Sequence, residues 1–178
     1  MTEQQRQRTV GVRDAGPEDA EFLIDMLLEA VNWTGEERMK RRQLLRDKTL
    51  SHYVAGWQRA QDLGVIAVDT AGPAGLQIPI GAAWIRRFDS HHPGYGYVAD
   101  DVPELAIGVA PQHRRRGIGS GLLRTLRARA AAAGVERISV SVEEGNPSRS
   151  LFLAAGFTVV GRNDNAETLL LELQPAQE

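Results

Sequence analysis

Cysteine is absent from this 178-residue chain. Its absence excludes disulfide bonds, thiolate catalysis and metal sites built on sulfur ligands. Histidine is scarce, and the four residues are His52, His91, His92 and His113. No two of them have the i, i+4 spacing with which a helix presents a pair of metal ligands. The sequence therefore predicts no metal site.

Long apolar runs and an excess of positive charge are absent as well. No run approaches the ~20 apolar residues that span a bilayer, and the polar segment Met1–Arg8 lacks the apolar stretch of a signal peptide. The formal net charge of −2 argues against the broad basic surface of most nucleic-acid-binding proteins. We therefore expect a cytoplasmic protein that binds neither membrane nor nucleic acid.

The periodicity of apolar residues predicts a single α/β domain over residues 9–175, after a polar tail at residues 1–8. Only the strand–helix–strand segment from Glu104 to Val142 requires a parallel crossover, so we expect a mixed sheet that is mostly antiparallel. The predicted strands are Thr9–Arg13, Val65–Val68, Ile78–Phe88, Glu104–Val109, Arg137–Val142, Phe157–Gly161 and Thr168–Leu173. One helix is predicted to begin at Pro17. A second helical region covers about residues 36–61 with a break near Ser51, and two further helices are predicted at Gly117–Ala133 and Asn146–Ala155.

Three consecutive arginines, Arg114–Arg116, stand before Gly117 and Gly119 at the predicted start of a helix. The first N–H groups of a helix, about four, lack intrahelical partners and carry a partial positive charge, which favours phosphate binding. Glycine leaves room for an oxygen to reach these amides, and the arginines add positive charge. The alternative is a tight strand-to-helix turn with solvated arginines.

Two familiar phosphate motifs do not fit this turn. A Walker loop ends in Gly-Lys-Ser/Thr, and the segment contains no lysine. The dinucleotide motif Gly-x-Gly-x-x-Gly directly follows a strand, whereas here Gly121 is misplaced and the predicted strand ends before Pro111. Consecutive arginines without interleaved aromatic residues also fit DNA poorly, although nucleic-acid binding through this turn stays open as a hypothesis.

The segment Arg114-Arg115-Arg116-Gly117-Ile118-Gly119 resembles the Q/R-x-x-G-x-G/A motif of the GCN5-related N-acetyltransferases. The preceding ELAIGVAP, the following SGLL and the segment from Asn146 to Phe157, NPSRSLFLAAGF, also resemble that family. The order of predicted elements agrees over nearly the whole chain. The resemblance implies an acyl-CoA N-acyltransferase fold, in which helices flank a splayed sheet, with acetyl-CoA as the cosubstrate.

The resemblance also assigns parts of acetyl-CoA to segments of this chain. Backbone groups of Ile107–Val109 would bind the pantetheine arm like an added strand, and the Val109 N–H would stabilise the oxyanion. Amides from Arg114 to Ser120 would bind the pyrophosphate. The residues implied in cofactor binding are Ile107, Gly108, Val109, Arg114, Arg115, Arg116, Gly117, Ile118, Gly119, Ser120, Asn146 and Phe152.

Acetyl transfer needs a neutral amine, and a lysine-like amine costs roughly 4–5 kcal/mol to deprotonate at neutral pH. A general base can take that proton. Glu104 is the predicted base because it begins the strand that leads to the cofactor, where members of the family often carry a glutamate. Asp100 and Asp101 are close alternatives. Phe152 stands where many members use a tyrosine to protonate the departing thiolate.

Three functions follow as hypotheses. The first is an N-acetyltransferase acting on a small-molecule or peptide primary amine, and the second is a non-catalytic acyl-CoA-binding regulatory module, which Phe152 favours. The third is nucleic-acid binding. Trp33, Tyr95 and Tyr97 are the predicted acceptor-binding residues, with ordinary core packing as the alternative. The final apolar strand is predicted to pair across a homodimer.

Overall fold

The computed structural model describes Thr2 and residues 9–175. Apart from Thr2, the predicted polar tail lies outside the described residues. The strands are β1 (Val10–Asp14), β2 (Leu63–Asp69), β3 (Ile78–Arg86), β4 (Glu104–Val109), β5 (Arg137–Glu143), β6 (Thr158–Asn163) and β7 (Ala166–Glu172). The α-helices are α1 (Ala20–Val31), α2 (Arg41–Arg46), α3 (Ile118–Ala132) and α4 (Ser148–Ala154).

The strands form one sheet in the order β1-β2-β3-β4-β5-β7-β6. Neighbouring strands are antiparallel except for β4 and β5, which are parallel and joined by α3. The predicted fold class is therefore confirmed, together with the single parallel crossover. The final strand β7 lies between β5 and β6, so both of its edges are paired. The prediction that this strand pairs across a homodimer is wrong for that reason.

The sheet divides between its two parallel strands. β4 and β5 pair at one position, Glu104 with Ser139. Beyond that position a loop at residues 94–97 lies against both strands. A Cβ atom on Gly96 would lie 2.7 Å from Glu104 Oε1 and 2.8 Å from the backbone nitrogen of Ser141. β4 and β5 diverge beyond their single paired position, and a gap opens between the two halves of the sheet.

Each face of the sheet is covered by an amphipathic helix. On one face α3 buries Leu122, Leu123 and Leu126, which recur at helical spacing. On the other face α1 buries Leu23 and Met26 in a second core cluster. Burial of each such side chain contributes about 1.5–3 kcal/mol. The two clusters pack on opposite faces of β4, since Leu105 belongs to the first cluster and Ala106 to the second, and β4 forms one wall of the gap.

The segment at residues 36–61 is less helical than its charge and apolar pattern predicts. It contains only the short helix α2 and a 3₁₀ segment, Leu50–Tyr53. The Asp47 carboxylate accepts the N–H groups of Thr49 and Leu50 at 3.0 and 2.8 Å. This local side-chain acceptor competes with the helical ladder and ends the helix at that point. Among the described residues, no helix is long and apolar enough to cross a membrane.

Helix α1 approaches β4 more closely than any side chain would allow. A Cβ atom on Gly108 would lie 2.2 Å from the carbonyl oxygen of Met26 and 2.9 Å from its carbonyl carbon. These are backbone atoms in the middle of a helix, so they cannot move aside by a change of rotamer. Gly108 therefore determines how near α1 lies to the strand that lines the gap.

We expect Gly108→Ala to lower the free energy of unfolding by about 1–3 kcal/mol, because the added methyl group overpacks the α1–β4 contact. Gly121→Ala is the matched control. Gly121 lies in α3 and a Cβ there would meet nothing within 4 Å, so alanine should stabilise the helix by about 0.5–1 kcal/mol. Urea denaturation measures both values. A Gly108→Ala protein as stable as the wild type would show that the contact is not tight.

Candidate active site

The gap between β4 and β5 opens into a cavity of about 790 Å³. Its walls come from both halves of the sheet, from α1, from the turn before α3 and from α4. This volume lies within the usual range for sites that bind a small organic ligand. Glu104, the residue at which the strands separate, lies in the wall of the cavity.

The backbone of β4 directs toward this gap polar groups that do not pair with β3. The Ala110 N–H donates to the Ile80 carbonyl oxygen at 2.8 Å, and Gly81 is the register partner of Val109. In an antiparallel ladder this arrangement makes Gly81–Val109 a non-hydrogen-bonded pair. The N–H and C=O groups of Val109, and of Ile107 two residues earlier, consequently point away from β3 and toward the gap. An extended ligand can therefore pair with this edge of β4.

The turn between β4 and α3 exposes backbone N–H groups. Arg115 and Gly117 have positive φ angles of 61° and 74°, a conformation that converges successive N–H groups into an anion-binding concavity. Helix α3 begins at Ile118 with no side-chain cap. The Gly121 N–H donates to Gly117 O at 3.1 Å, so the N–H groups of residues 118–120 precede the helical ladder. An anion in this turn would meet these groups and the positive end of the helix dipole.

The three arginines of this turn differ in their surroundings. Arg115 lines the cavity. Arg114 also lines it, but its guanidinium donates to Glu29 Oε2 at 3.0 Å and to the Val109 carbonyl oxygen at 3.2 Å. Arg116 is not among the lining residues, and its Nη1 atom lies 3.4 Å from His113 Nδ1. The sequence motif does not distinguish the three arginines. Of the three, only Arg115 lines the cavity with a guanidinium group that has no hydrogen-bond or ion-pair partner among the described residues.

The Glu104 side chain is buried, with 2% of its surface exposed. Its Oε1 atom accepts the Tyr53 hydroxyl at 2.6 Å and the Gly96 N–H at 2.6 Å. The Tyr53 hydroxyl in turn accepts the Tyr95 N–H at 3.0 Å. Sequence analysis missed Tyr53, because it lies 51 residues before Glu104 in a segment predicted to be helical. No local pattern marks it.

Burial controls the ionisation of this carboxyl group. Loss of water raises the pKa of Glu104 from 4.5 to about 7, and the hydrogen bonds from Tyr53 and Gly96 oppose that shift. Oε2 is buried without a hydrogen-bond partner among the described residues. A Cβ atom on Gly94 would lie only 1.9 Å from it, so the backbone of Gly94 covers this oxygen. The carboxyl group thus titrates near neutral pH.

The predicted acceptor-binding residues separate in the structure. Trp33 and Tyr95 line the large cavity. The Trp33 Nε1 atom is buried without a hydrogen-bond partner among the described residues, and Tyr95 is 50% exposed. Tyr97 is not a lining residue and donates its hydroxyl to Asp100. Neither Asp100 nor Asp101, the alternative bases, lines the cavity, so the geometry favours Glu104.

Helix α4 contributes the last of the predicted residues. Asn146 lines the cavity and its Oδ1 atom accepts the Ser148 N–H at 2.9 Å, which starts the helix. Phe152 also lines the cavity; it is 2% exposed and its ring centroid lies 5.6 Å from that of Phe157. Phe152 is therefore a core residue that reaches the cavity wall without a polar group.

The family model described as the acetyltransferase (GNAT) family matches residues 27–157. The chain belongs to this family. The match confirms the resemblance read from the two motifs, and with it the predicted class of enzyme, an acetyltransferase. None of the curated proteins matches the chain in sequence.

Solved acetyltransferases share the fold of this chain at low sequence identity. PaiA N-acetyltransferase from Thermoplasma acidophilum, in complex with coenzyme A, is 18% identical with a TM-score of 0.64 over 92% of this chain and 98% of that one. A phosphinothricin acetyltransferase from Sinorhizobium meliloti, in complex with AcCoA, is 24% identical with a TM-score of 0.62 over 93% and 89%. A GCN5-related N-acetyltransferase from Kribbella flavida is 18% identical with a TM-score of 0.65 over 94% and 99%.

The buried carboxyl group should make the stability of this acetyltransferase depend on pH. Because the pKa of Glu104 is raised in the folded protein, its stabilising contribution is complete below about pH 4.5 and is lost as pH rises through about 7. Glu104→Gln removes the ionisation. From about pH 5 to about pH 8, the unfolding free energy of the variant should therefore rise by about 1–3 kcal/mol relative to the wild type. Denaturant titrations at both pH values measure the difference, and a constant difference would refute the raised pKa.

Proposed function

We propose that this protein transfers the acetyl group of acetyl-CoA to a primary amine, with Glu104 as the general base. The observation that carries the proposal is the position of one buried carboxyl group. Glu104 lies where β4 and β5 separate, in the wall of a cavity that also contains a free strand edge and an anion-binding turn. A proton acceptor, a site for an extended arm and a site for phosphate therefore meet in one cavity.

The residues present fit acetyl-CoA. The edge of β4 at Ile107–Val109 would hold the pantetheine arm, since its free backbone groups face the gap. The amides of residues 115–120 and the Arg115 guanidinium would hold the pyrophosphate. Asn146 would lie beside the arm. Acetyl-CoA supplies the acetyl group as a thioester, whose carbonyl carbon is open to attack by a neutral amine.

The Val109 N–H and Glu104 have complementary roles along β4. The Val109 N–H, directed into the gap, would donate to the acetyl oxygen as negative charge develops there. Glu104 would take the proton that an ammonium group must lose before it becomes a nucleophile. A pKa of about 7 suits this role, because the group is partly ionised at neutral pH and yet binds the proton well. In this proposal, proton removal and charge stabilisation fall to two residues of the same strand.

The acceptor amine would reach this point from the side of Tyr95. A second cavity of about 130 Å³ adjoins the large one there, and Tyr95, Ser141, Asn165 and Ala166 line both. The Trp33 indole N–H, buried and unpartnered among the described residues, supplies a further donor for the acceptor or the arm of the cosubstrate. The chemistry of this region admits either a small molecule or a peptide terminus, and the side chains of Ser141 and Asn165 favour an acceptor with hydrogen-bonding groups near the amine.

Phe152 supports a second candidate, an acyl-CoA-binding module without turnover. Its side chain offers no proton to a departing thiolate, and its ring is fixed in the core. Ser148 lines the same cavity, so a residue with a hydroxyl group is nevertheless at hand. The two candidates differ in one measurable property, the release of CoA thiol in the presence of an amine.

We expect the protein to release CoA thiol from acetyl-CoA when a suitable primary amine is supplied, with the acetylated amine identified by mass. The kcat/KM of the wild type should fall below about pH 7, because protonated Glu104 accepts no proton. Glu104→Gln should not show this decrease in kcat/KM below about pH 7, and it should be slower by about 10²–10⁴-fold near neutral pH. The deficit should shrink as pH approaches the pKa of the amine.

The control for this experiment is the affinity of each protein for acetyl-CoA, which Glu104→Gln should leave unchanged. Tight binding of acetyl-CoA without transfer to any amine of a broad panel would favour the binding module. Transfer with an unaltered pH profile in Glu104→Gln would remove Glu104 from the mechanism.

The anion-binding turn makes a separate prediction. Arg115→Ala should weaken acetyl-CoA binding about 5- to 20-fold, since one charge-assisted contact to phosphate is lost. The weakening should diminish at high salt. Arg162→Ala is the matched control, because Arg162 lies on β6 and forms an exposed ion pair with Glu144 at 3.1 Å. Isothermal titration calorimetry gives both constants, and equal affinities for the two variants would exclude Arg115 from the phosphate site.

A further inference from the structure

The carboxyl oxygens of Glu104 are closed to direct contact with an amine. Oε1 already accepts two hydrogen bonds, from the Tyr53 hydroxyl and the Gly96 N–H. Oε2 is buried against the backbone of Gly94, where even a Cβ atom would lie 1.9 Å away. Only 2% of the surface of Glu104 is exposed. A proton from the acceptor must therefore reach Glu104 through a neighbouring group.

The Tyr53 hydroxyl is placed to be that group. A phenol has one proton to donate and two lone pairs to accept with. Tyr53 donates its proton to Glu104 Oε1 at 2.6 Å and accepts the Tyr95 N–H at 3.0 Å, which leaves one lone pair. Tyr53 lines the cavity, and the step described below requires this lone pair to accept a hydrogen bond from an amine bound there.

Tyr53 is held in place through its backbone and through its ring. Its backbone carbonyl accepts the Trp84 Nε1–H at 2.8 Å, and its ring packs edge-on against Phe88 with centroids 5.0 Å apart. A hydroxyl held this firmly costs little reorganisation when a proton moves through it.

We propose that Glu104 receives the proton of the acceptor ammonium through the hydroxyl group of Tyr53, which makes Tyr53 a catalytic residue. The proposal rests on the proposed function, in which Glu104 is the base. In the step, the ammonium N–H bond breaks as an O–H bond forms on Tyr53, and the original Tyr53 proton passes to Glu104 Oε1. The amine and the carboxyl group end neutral, and Tyr53 is again a phenol.

The charges of the buried site favour this concerted transfer. One ammonium and one carboxylate become two neutral groups, so the enclosed site ends with less charge to solvate. Burial and the neighbouring Glu104 hold the pKa of Tyr53 well above its ordinary value. Tyrosinate is therefore unfavourable, and Tyr53 passes a proton on only as it receives another.

A cycle of three variants tests the relay, with kcat/KM for acetyl transfer near pH 8 as the readout. Tyr53→Phe keeps the ring and its packing and removes only the hydroxyl. It should lower kcat/KM by about 10²–10⁴-fold, as Glu104→Gln does. The double variant should be no more than about 3-fold slower than Glu104→Gln alone, because both residues act in one transfer. Acetyl-CoA affinity should stay near the wild-type value.

Four results would overturn the relay. Near-wild-type kcat/KM in Tyr53→Phe beside a slow Glu104→Gln would mean that Glu104 takes the proton without Tyr53, and the proposed function would stand. If the decreases in kcat/KM of the two single variants multiply in the double variant, Tyr53 has a role independent of Glu104. Recovery of Tyr53→Phe at about pH 9 to an extent that Glu104→Gln does not show would mean that Tyr53 only adjusts the ionisation of the carboxyl group. Absence of transfer by the wild type with every amine would remove the proposed function and the relay together.

A second measurement needs no variant and so does not depend on how Tyr53→Phe folds. Two protons move in the relay, whereas direct transfer to Glu104 moves one. In mixtures of H₂O and D₂O, the kcat/KM of the wild type should therefore depend on the deuterium fraction along a curve that bends downward. A straight line would contradict the relay while leaving Glu104 as the base.

Discussion

The site depends on a wedge of backbone at residues 94–97 that separates two parallel strands. Gly96 lies between the Glu104 carboxyl group and the backbone of Ser141, with no room for a side chain on that face. β4 and β5 pair at one position, and the cavity and the edge of β4 that faces it lie beyond that position. The loop lies where the strands separate and buries the Glu104 carboxyl group. The small size of glycine allows the backbone of the loop to approach both that carboxyl group and β5.

The same wedge determines the electrostatics of the site. Its Gly96 N–H donates to Glu104 Oε1, its Gly94 backbone covers Oε2, and its Tyr95 N–H donates to Tyr53. The carboxyl group is thereby buried with few donors, which raises its pKa to about 7. The loop therefore keeps this carboxyl group within the pH range in which it can exchange protons. A more solvated glutamate would be a weaker base near neutral pH.

At the opposite end of the cavity, backbone geometry and side-chain charge have separate tasks. The positive φ angles of Arg115 and Gly117 direct N–H groups to one side, so the turn can bind an anion through its backbone. Arg114 links the turn to α1 through Glu29. This ion pair joins the anion-binding turn to the helix that packs on β4. The arginine run is consequently divided between ligand binding and structure.

Much of the fold was predictable because it follows from short-range patterns. The seven strands alternate or run apolar over a few residues, and α3 carries its apolar stripe at helical spacing. The main error concerned residues 36–61, where the Asp47 carboxylate competes with the helical ladder. The second error placed the last strand at an edge. Sequence order does not determine the order of strands in a sheet, and β6 folds back outside β7.

By itself, the sequence determined the fold class, the anion-binding turn and the identity of the candidate base, since each depends on residues that are neighbours in the chain. The tertiary structure decided which groups surround that base. Tyr53 meets Glu104 across 51 residues of sequence, and the contact exists only because the 3₁₀ segment packs beside the β4–β5 gap. The tertiary structure also decided which arginine faces the cavity, and it placed Tyr97 away from the cavity wall. Such outcomes depend on the packing of distant segments, which local periodicity and motif spacing do not encode.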